Sequence, residues 1–232
     1  MPAIKTSFRI CELFGIPLYI DLTTILLVVL IVSRVGSLVY GLGLSLVLII
    51  SIVLHELGHS LMGRLFGGHT EYIELRLIGG AAVGDIPRKA WHEFLVAAAG
   101  PLVSFALCGI LIVVEAVFDF DNFIGAMVYG GALVNLTLGL FNLLPGFPMD
   151  GGRMFRSLAR LFLSRVKATY IAMIVGRVSA VALVVLPFFG INYIWIIPIG
   201  GDFFMRLLIA FMIWREGYRE YVIARMESSW RS

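Results

Sequence analysis

The stretch "VLHELGHSLMGRLF", Val53 to Phe66, closes an uncharged run that begins at Val35. About 20 residues of helix cross a hydrocarbon core, so His55, Glu56 and His59 lie at the end of a segment long enough to span a bilayer. Polar groups at that depth are costly unless they are paired or used. A helix offers one explanation for all three. Residues four apart point the same way and stand about 6 Å apart along the axis, so two imidazoles can converge on one ion with Glu56 beside them. His-Glu-x-x-His on a helix is a zinc pattern in which the glutamate activates water.

The rest of the chain has the same character. Of its 232 residues 60% are hydrophobic and 14% charged, and the mean hydropathy is +0.98, far from a soluble domain. Uncharged runs of spanning length occur at Val35 to Leu54, Phe94 to Val114, Asn122 to Met149 and Val178 to Gly201. Leu13 to Ser33 adds a span interrupted by Asp21, and Tyr193 to Trp214 a sixth that carries Asp202 and Arg206. The predicted fold class is an all-α polytopic membrane protein of about six transmembrane helices, with a short β-hairpin between the second and third. One domain covers 1–232, its core 13–214 and its tail 215–232. The start "MPAIKTSFRICELF" has no small-residue cleavage pattern, so no cleaved signal is expected.

Six spans put both ends on one side. Fifteen of the eighteen basic residues then flank the spans on that side, Arg34 alone lies opposite, and Arg177 and Arg206 fall within spans. The bias predicts a multi-pass protein of the cell membrane with both termini cytoplasmic. It also accounts for the net charge of +3 without a nucleic-acid partner. Cys11 and Cys108 form no CxxC pattern and suggest no disulfide.

Between the second and third spans, Ile73, Leu75 and Leu77 alternate with Glu74 and Arg76, a period of two that predicts a strand. Gly79-Gly80 can turn the chain and "AAVGD" can return it, which makes a hairpin. The stretch Arg153 to Lys167 reads as an amphipathic surface helix held by lipid phosphates. Asp202 and Arg206 form an i, i+4 pair that Arg177 can join.

A catalytic zinc usually has three protein ligands. The best third candidate lies in "NLTLGLFNLLPGFPMDGGR", where a long span ends at Pro145 and Pro148 before Asp150. Gly151-Gly152 leaves room for a close backbone approach. Asp150 is also suited to cap the helix that follows. In the six-span topology the second and fourth spans both descend to the cytoplasmic end, so His55, His59 and Asp150 can meet. Asn135 and Asn142, seven apart, share a helical face and need partners in a span. Packing suffices for Asn142 and is one reading of Asn135.

"HELGH" followed downstream by "FNLLPGFPMDGGR" resembles the site-2 protease family of intramembrane zinc metalloproteases, in its compact archaeal and bacterial form. "LFGIPLYID" and "AAAGPLVSF" extend the similarity over nearly the whole chain. The resemblance implies His55, His59 and Asp150 as ligands of one zinc ion, Glu56 as general base, and Asn135 as a residue assisting substrate or oxyanion binding. No PDZ or CBS domain is expected. The implied substrate is a transmembrane protein or peptide within the lipid bilayer. Such a helix must unwind before attack, and the strand carrying Ile73, Leu75 and Leu77 suggests that its edge receives the extended chain by strand addition. A metal carrier would need ligands continuing across the membrane, and an inactive scaffold would not need Glu56.

Overall fold

The computed structural model describes residues 7–76, 79–85, 89–189 and 203–229. These residues divide between two compact units, Met1–Pro87 with Leu102–Leu138, and Arg88–Pro101 with Gly139–Ser232.

The first unit opens with an element that hydropathy had hidden. The apolar run from Leu13 is no full-length span: β1 (Ser7–Leu13) and β2 (Ile16–Asp21) form an antiparallel hairpin, and α1 (Thr23–Val35) is only 13 residues long. The turn between the strands places Phe14 and Gly15 at φ 52° and 74°, the paired positive values of a two-residue turn matched to strand twist. Asp21 then accepts from the backbone N–H of Thr23 at 2.8 Å, which starts α1. After α2 (Leu38–Leu65) the predicted hairpin follows as β3 (His69–Arg76) and β4 (Gly79–Asp85). The two hairpins join through β2 and β3, which are parallel, into one sheet of order β1-β2-β3-β4. One face of this sheet supplies Ile16, Leu18, Ile73 and Leu75, which pack on Ile52, Val53 and Leu57 of α2. The sheet thus buries the helix turn that carries the histidines.

This arrangement corrects the expectation for β3. The strand lies between β2 and β4, so neither of its edges is open. Ile73 and Leu75, 1% and 2% exposed, are core residues, and Leu77 lies outside the described residues. The alternation that revealed the strand reports its buried face and says nothing about its edges. The edge strands of the sheet are β1 and β4.

Two long apolar helices, α3 (Ala90–Phe118) and α4 (Phe123–Asn142), contain the divisions between the units. Among the described residues four helical segments are long and apolar enough to cross a membrane: Leu38–Leu65, Ala90–Phe118, Phe123–Asn142 and Arg165–Phe189. On α3, Leu102, Ile110, Ile112, Val113 and Val117 are each more than half exposed, as expected where lipid is the solvent.

In the second unit the chain leaves α4 at Asn142, ahead of both prolines, and doubles back into α5 (Asp150–Ala159). A Cβ on Gly151 would stand 2.2 Å from the Leu143 carbonyl oxygen, and one on Gly152 2.6 Å from the Gly146 carbonyl carbon. The two glycines let the first turn of α5 lie directly on the preceding backbone. α6 (Arg165–Val185) extends into a 3₁₀ turn to Phe189, and α7 (Phe203–Ser229) carries the tail onward as helix. The expected fifth span, Val178 to Gly201, therefore begins earlier, because Arg165, Lys167 and Arg177 are accommodated within α6. Residues 193–202 of the expected sixth span, Asp202 included, lie outside the described residues. Arg177 lies over the Trp214 ring at 4.5 Å, a cation–π contact.

The Arg-rich stretch is also different from its reading as a lipid-bound surface helix. It breaks between α5 and α6, and Arg156, Arg160 and Arg165 pair with Glu93, Glu220 and Glu227. Acidic partners more than sixty residues away, on α3 and α7, neutralise them.

Candidate metal centre

His55 and His59 are presented one turn apart on the buried face of α2, both largely withdrawn from solvent. Their Nε2 atoms face each other at 3.2 Å, with the rings steeply inclined. Two metal–nitrogen bonds of 2.0–2.1 Å at a tetrahedral angle separate the nitrogens by about 3.3 Å. The pair is therefore already spaced as ligands of one small ion.

The other nitrogen of His55, Nδ1, lies 2.9 Å from Oγ of Ser104 on α3, a residue with no exposure. With Nδ1–H donating to that hydroxyl, the lone pair sits on Nε2, and the ring is held in the orientation a metal ligand requires. Sequence reading missed Ser104. The only local signal was a lone hydroxyl within "AAAGPLVSF", since its partner is 49 residues away.

Glu56 projects from the same helix turn but is only partly buried. β4 comes down on it: a Cβ on Gly80 would lie 2.5 Å from Cγ of Glu56 and 3.0 Å from Cγ2 of Ile52. A glycine here lets the strand backbone rest against the carboxylate's stem.

Asn135 is buried on α4, and both of its amide hydrogens are committed. Nδ2 donates to Oγ of Ser51 and to the Gly131 carbonyl, each at 2.9 Å. Ser51 is one turn before His55 on α2. The Oδ1 atom is buried without a partner, so the capacity that remains is that of an acceptor. An oxyanion needs a donor, and this geometry offers none without breaking the bond to Ser51 or to Gly131.

In the second unit Asp150 is the first residue of α5 and 6% exposed. The N-cap position belongs to Met149, so Asp150 is not the cap that its sequence also suited. The first unit thus supplies two buried imidazoles and the second a buried carboxylate. These are donor types that zinc takes, and three such ligands leave a fourth position for water.

Known proteins similar to this chain include zinc metalloproteases. The chain is 37% identical over 194 residues to a zinc metalloprotease of Methanocaldococcus jannaschii, covering 82% of this chain and 57% of that protein. It is 27% identical over 135 residues to the stage IV sporulation protein FB of Bacillus subtilis, covering 53% and 43%. This chain spans a little over half the length of the first such relatives. The solved site-2 protease from Methanocaldococcus jannaschii superposes with a TM-score of 0.68 at 33% identity, covering 93% of this chain and 95% of that one. Residues 43–130 and 120–186 match the model of peptidase family M50, and the chain, a multi-pass membrane protein, belongs to that family.

Proposed function

We propose that this protein is an intramembrane zinc endopeptidase that hydrolyses peptide bonds in transmembrane segments. The observation that carries the reading is the His55–His59 pair, set at ligand spacing with one ring held by Ser104, on the helix turn that also presents Glu56. Asp150 completes the ligand set in this reading. A carrier would need further ligands along its path, and no second group of metal-holding side chains occurs among the described residues.

One zinc ion per chain would polarise the scissile carbonyl and bring the pKa of water toward neutrality. Glu56 takes the proton of the attacking water and returns it to the leaving amine. Ser104 keeps His55 in its ligating tautomer throughout. The substrate must be extended at the site, because a helix hides its amides in internal hydrogen bonds. The open edge of β4 provides replacement partners, and at Gly80 this strand lies against the base. Asn135 offers an acceptor for one further substrate N–H.

The protein purified in detergent should cleave a transmembrane test peptide, and a strong chelator should stop cleavage until zinc is restored. Continued turnover in metal-free protein would sink the reading. The same assay tests the strand edge. The N–H groups of Ala81 and Ala82 point to opposite sides of β4, so one of Ala81→Pro and Ala82→Pro removes an outward donor. That variant should slow cleavage about tenfold, the value of roughly one hydrogen bond, with bound zinc unchanged. If both prolines leave the rate intact, strand addition at β4 is wrong.

The charge bias supports cytoplasmic termini. An impermeant thiol reagent should leave Ser229→Cys unlabelled in intact cells when the variant is made on a cysteine-free chain. Labelling from outside would reverse the orientation.

A further inference from the structure

Around α5 lies a charged cluster that no step of hydrolysis uses. Arg156 is 3% exposed. Its Nε donates to Oε1 of Glu93, on the first turn of α3, at 2.9 Å, its Nη2 donates to the same oxygen, and its Nη1 donates to Glu220 on α7. Arg160 reaches the other oxygen of Glu93. The guanidinium carbon of Arg156 also sits 5.0 Å from the centre of the Phe147 ring. Asp150 lies between Phe147 and Arg156 in the chain, and one side chain grips both flanks.

Two arginines and two glutamates make the cluster neutral, yet such burial is a poor source of stability. Apolar replacements of buried ion pairs are often neutral or stabilising. Desolvation by itself would lower the Arg156 pKa, and Glu93 and Glu220 more than offset it, so the guanidinium stays charged. What the cluster supplies is direction. It fixes the rotation of α5 against the start of α3 and against α7, with the fork of a guanidinium that a lysine cannot copy.

We propose that Arg156 is a positioning residue for Asp150, holding the first turn of α5 so that its carboxylate meets the metal at a fixed angle. This rests on Asp150 being a ligand. The role resembles that of outer-shell partners, whose loss typically costs about 10–100-fold in metal affinity.

The test uses the full chain in detergent and a triple variant, Glu93→Gln with Arg156→Met and Glu220→Gln, which leaves Arg160 as the cluster's remaining ion. Metal affinity is read by chelator competition, site geometry by the visible spectrum of the cobalt-loaded protein, and folding by thermal unfolding of the metal-free protein. The triple variant should bind metal about 10–100-fold more weakly with an altered cobalt spectrum, while the metal-free unfolding temperature stays within a few degrees of the parent. Arg156→Lys should be intermediate in affinity. In an Asp150→Asn background the triple change should cost nothing more, because its route is through that carboxylate. Parental affinity and spectrum in the triple variant would overturn the proposal. So would a fall in metal-free unfolding temperature that accounts for the lost affinity. If Asp150→Asn itself keeps full affinity, the ligand reading beneath the proposal fails instead.

Discussion

Glu56→Gln should keep its zinc and lose cleavage of a transmembrane peptide by about a hundred- to ten-thousandfold, the usual contribution of a general base. Glutamine preserves the length of the side chain, its packing beneath Gly80 and its capacity to hydrogen-bond. It cannot take a proton. The two histidines that flank it on α2 are untouched, and the Ser104 bond to His55 does not involve it, so metal content measured on the purified variant should equal the parent's. The split between retained metal and lost turnover is what separates a hydrolase from a carrier, in which Glu56 would have no chemical task. Parental cleavage by Glu56→Gln would remove the residue from the mechanism. A parallel loss of zinc would make it a structural support of the ligand helix.

How much of this was legible in the sequence follows from the range of each interaction. The helix turn that buries His55 and His59 was readable because its signal is local: two histidines stand four apart in an apolar run. The β3–β4 hairpin was readable because Ile73 and Leu75 alternate with Glu74 and Arg76, even though Glu74 is buried as well. Leu13 to Ser33 defeated the same method. In "LFGIPLYIDLTTILLVV" both the strand and the helix are apolar, so hydropathy crosses the boundary at Leu22 with Asp21 as its one charged residue. That Asp21 accepts from the Thr23 N–H and so starts α1 is not visible to hydropathy. The sheet order was beyond local reading for another reason, since β2 meets β3 across the whole of α1 and α2. The fate of Arg156 was hidden likewise. Its basic neighbours suggested a lipid surface, whereas its partners are 63 and 64 residues distant in the chain.

The proposed metal ligands should respond in the opposite way to the proposed base. Asp150→Asn keeps the volume of the side chain but removes its charge, and a neutral amide is a weak donor to a dication. Zinc affinity should fall by more than about a hundredfold, beyond what the loss of an outer-shell partner costs, and cleavage should fall with it. Excess zinc should restore part of the activity of Asp150→Asn, because Glu56 and both histidines remain in place. His55→Ala and His59→Ala should lose metal in the same manner. His55→Ala also leaves the Ser104 hydroxyl buried without its partner, which adds roughly 1–3 kcal/mol of instability, so its unfolding temperature should drop further than that of His59→Ala. The pattern across the four variants is therefore diagnostic. Metal is retained only in Glu56→Gln, rescue by zinc is clearest in Asp150→Asn, and the extra thermal loss is confined to His55→Ala. Full zinc affinity in Asp150→Asn, measured by chelator competition, would mean that α5 carries no ligand and that the third donor must be sought elsewhere.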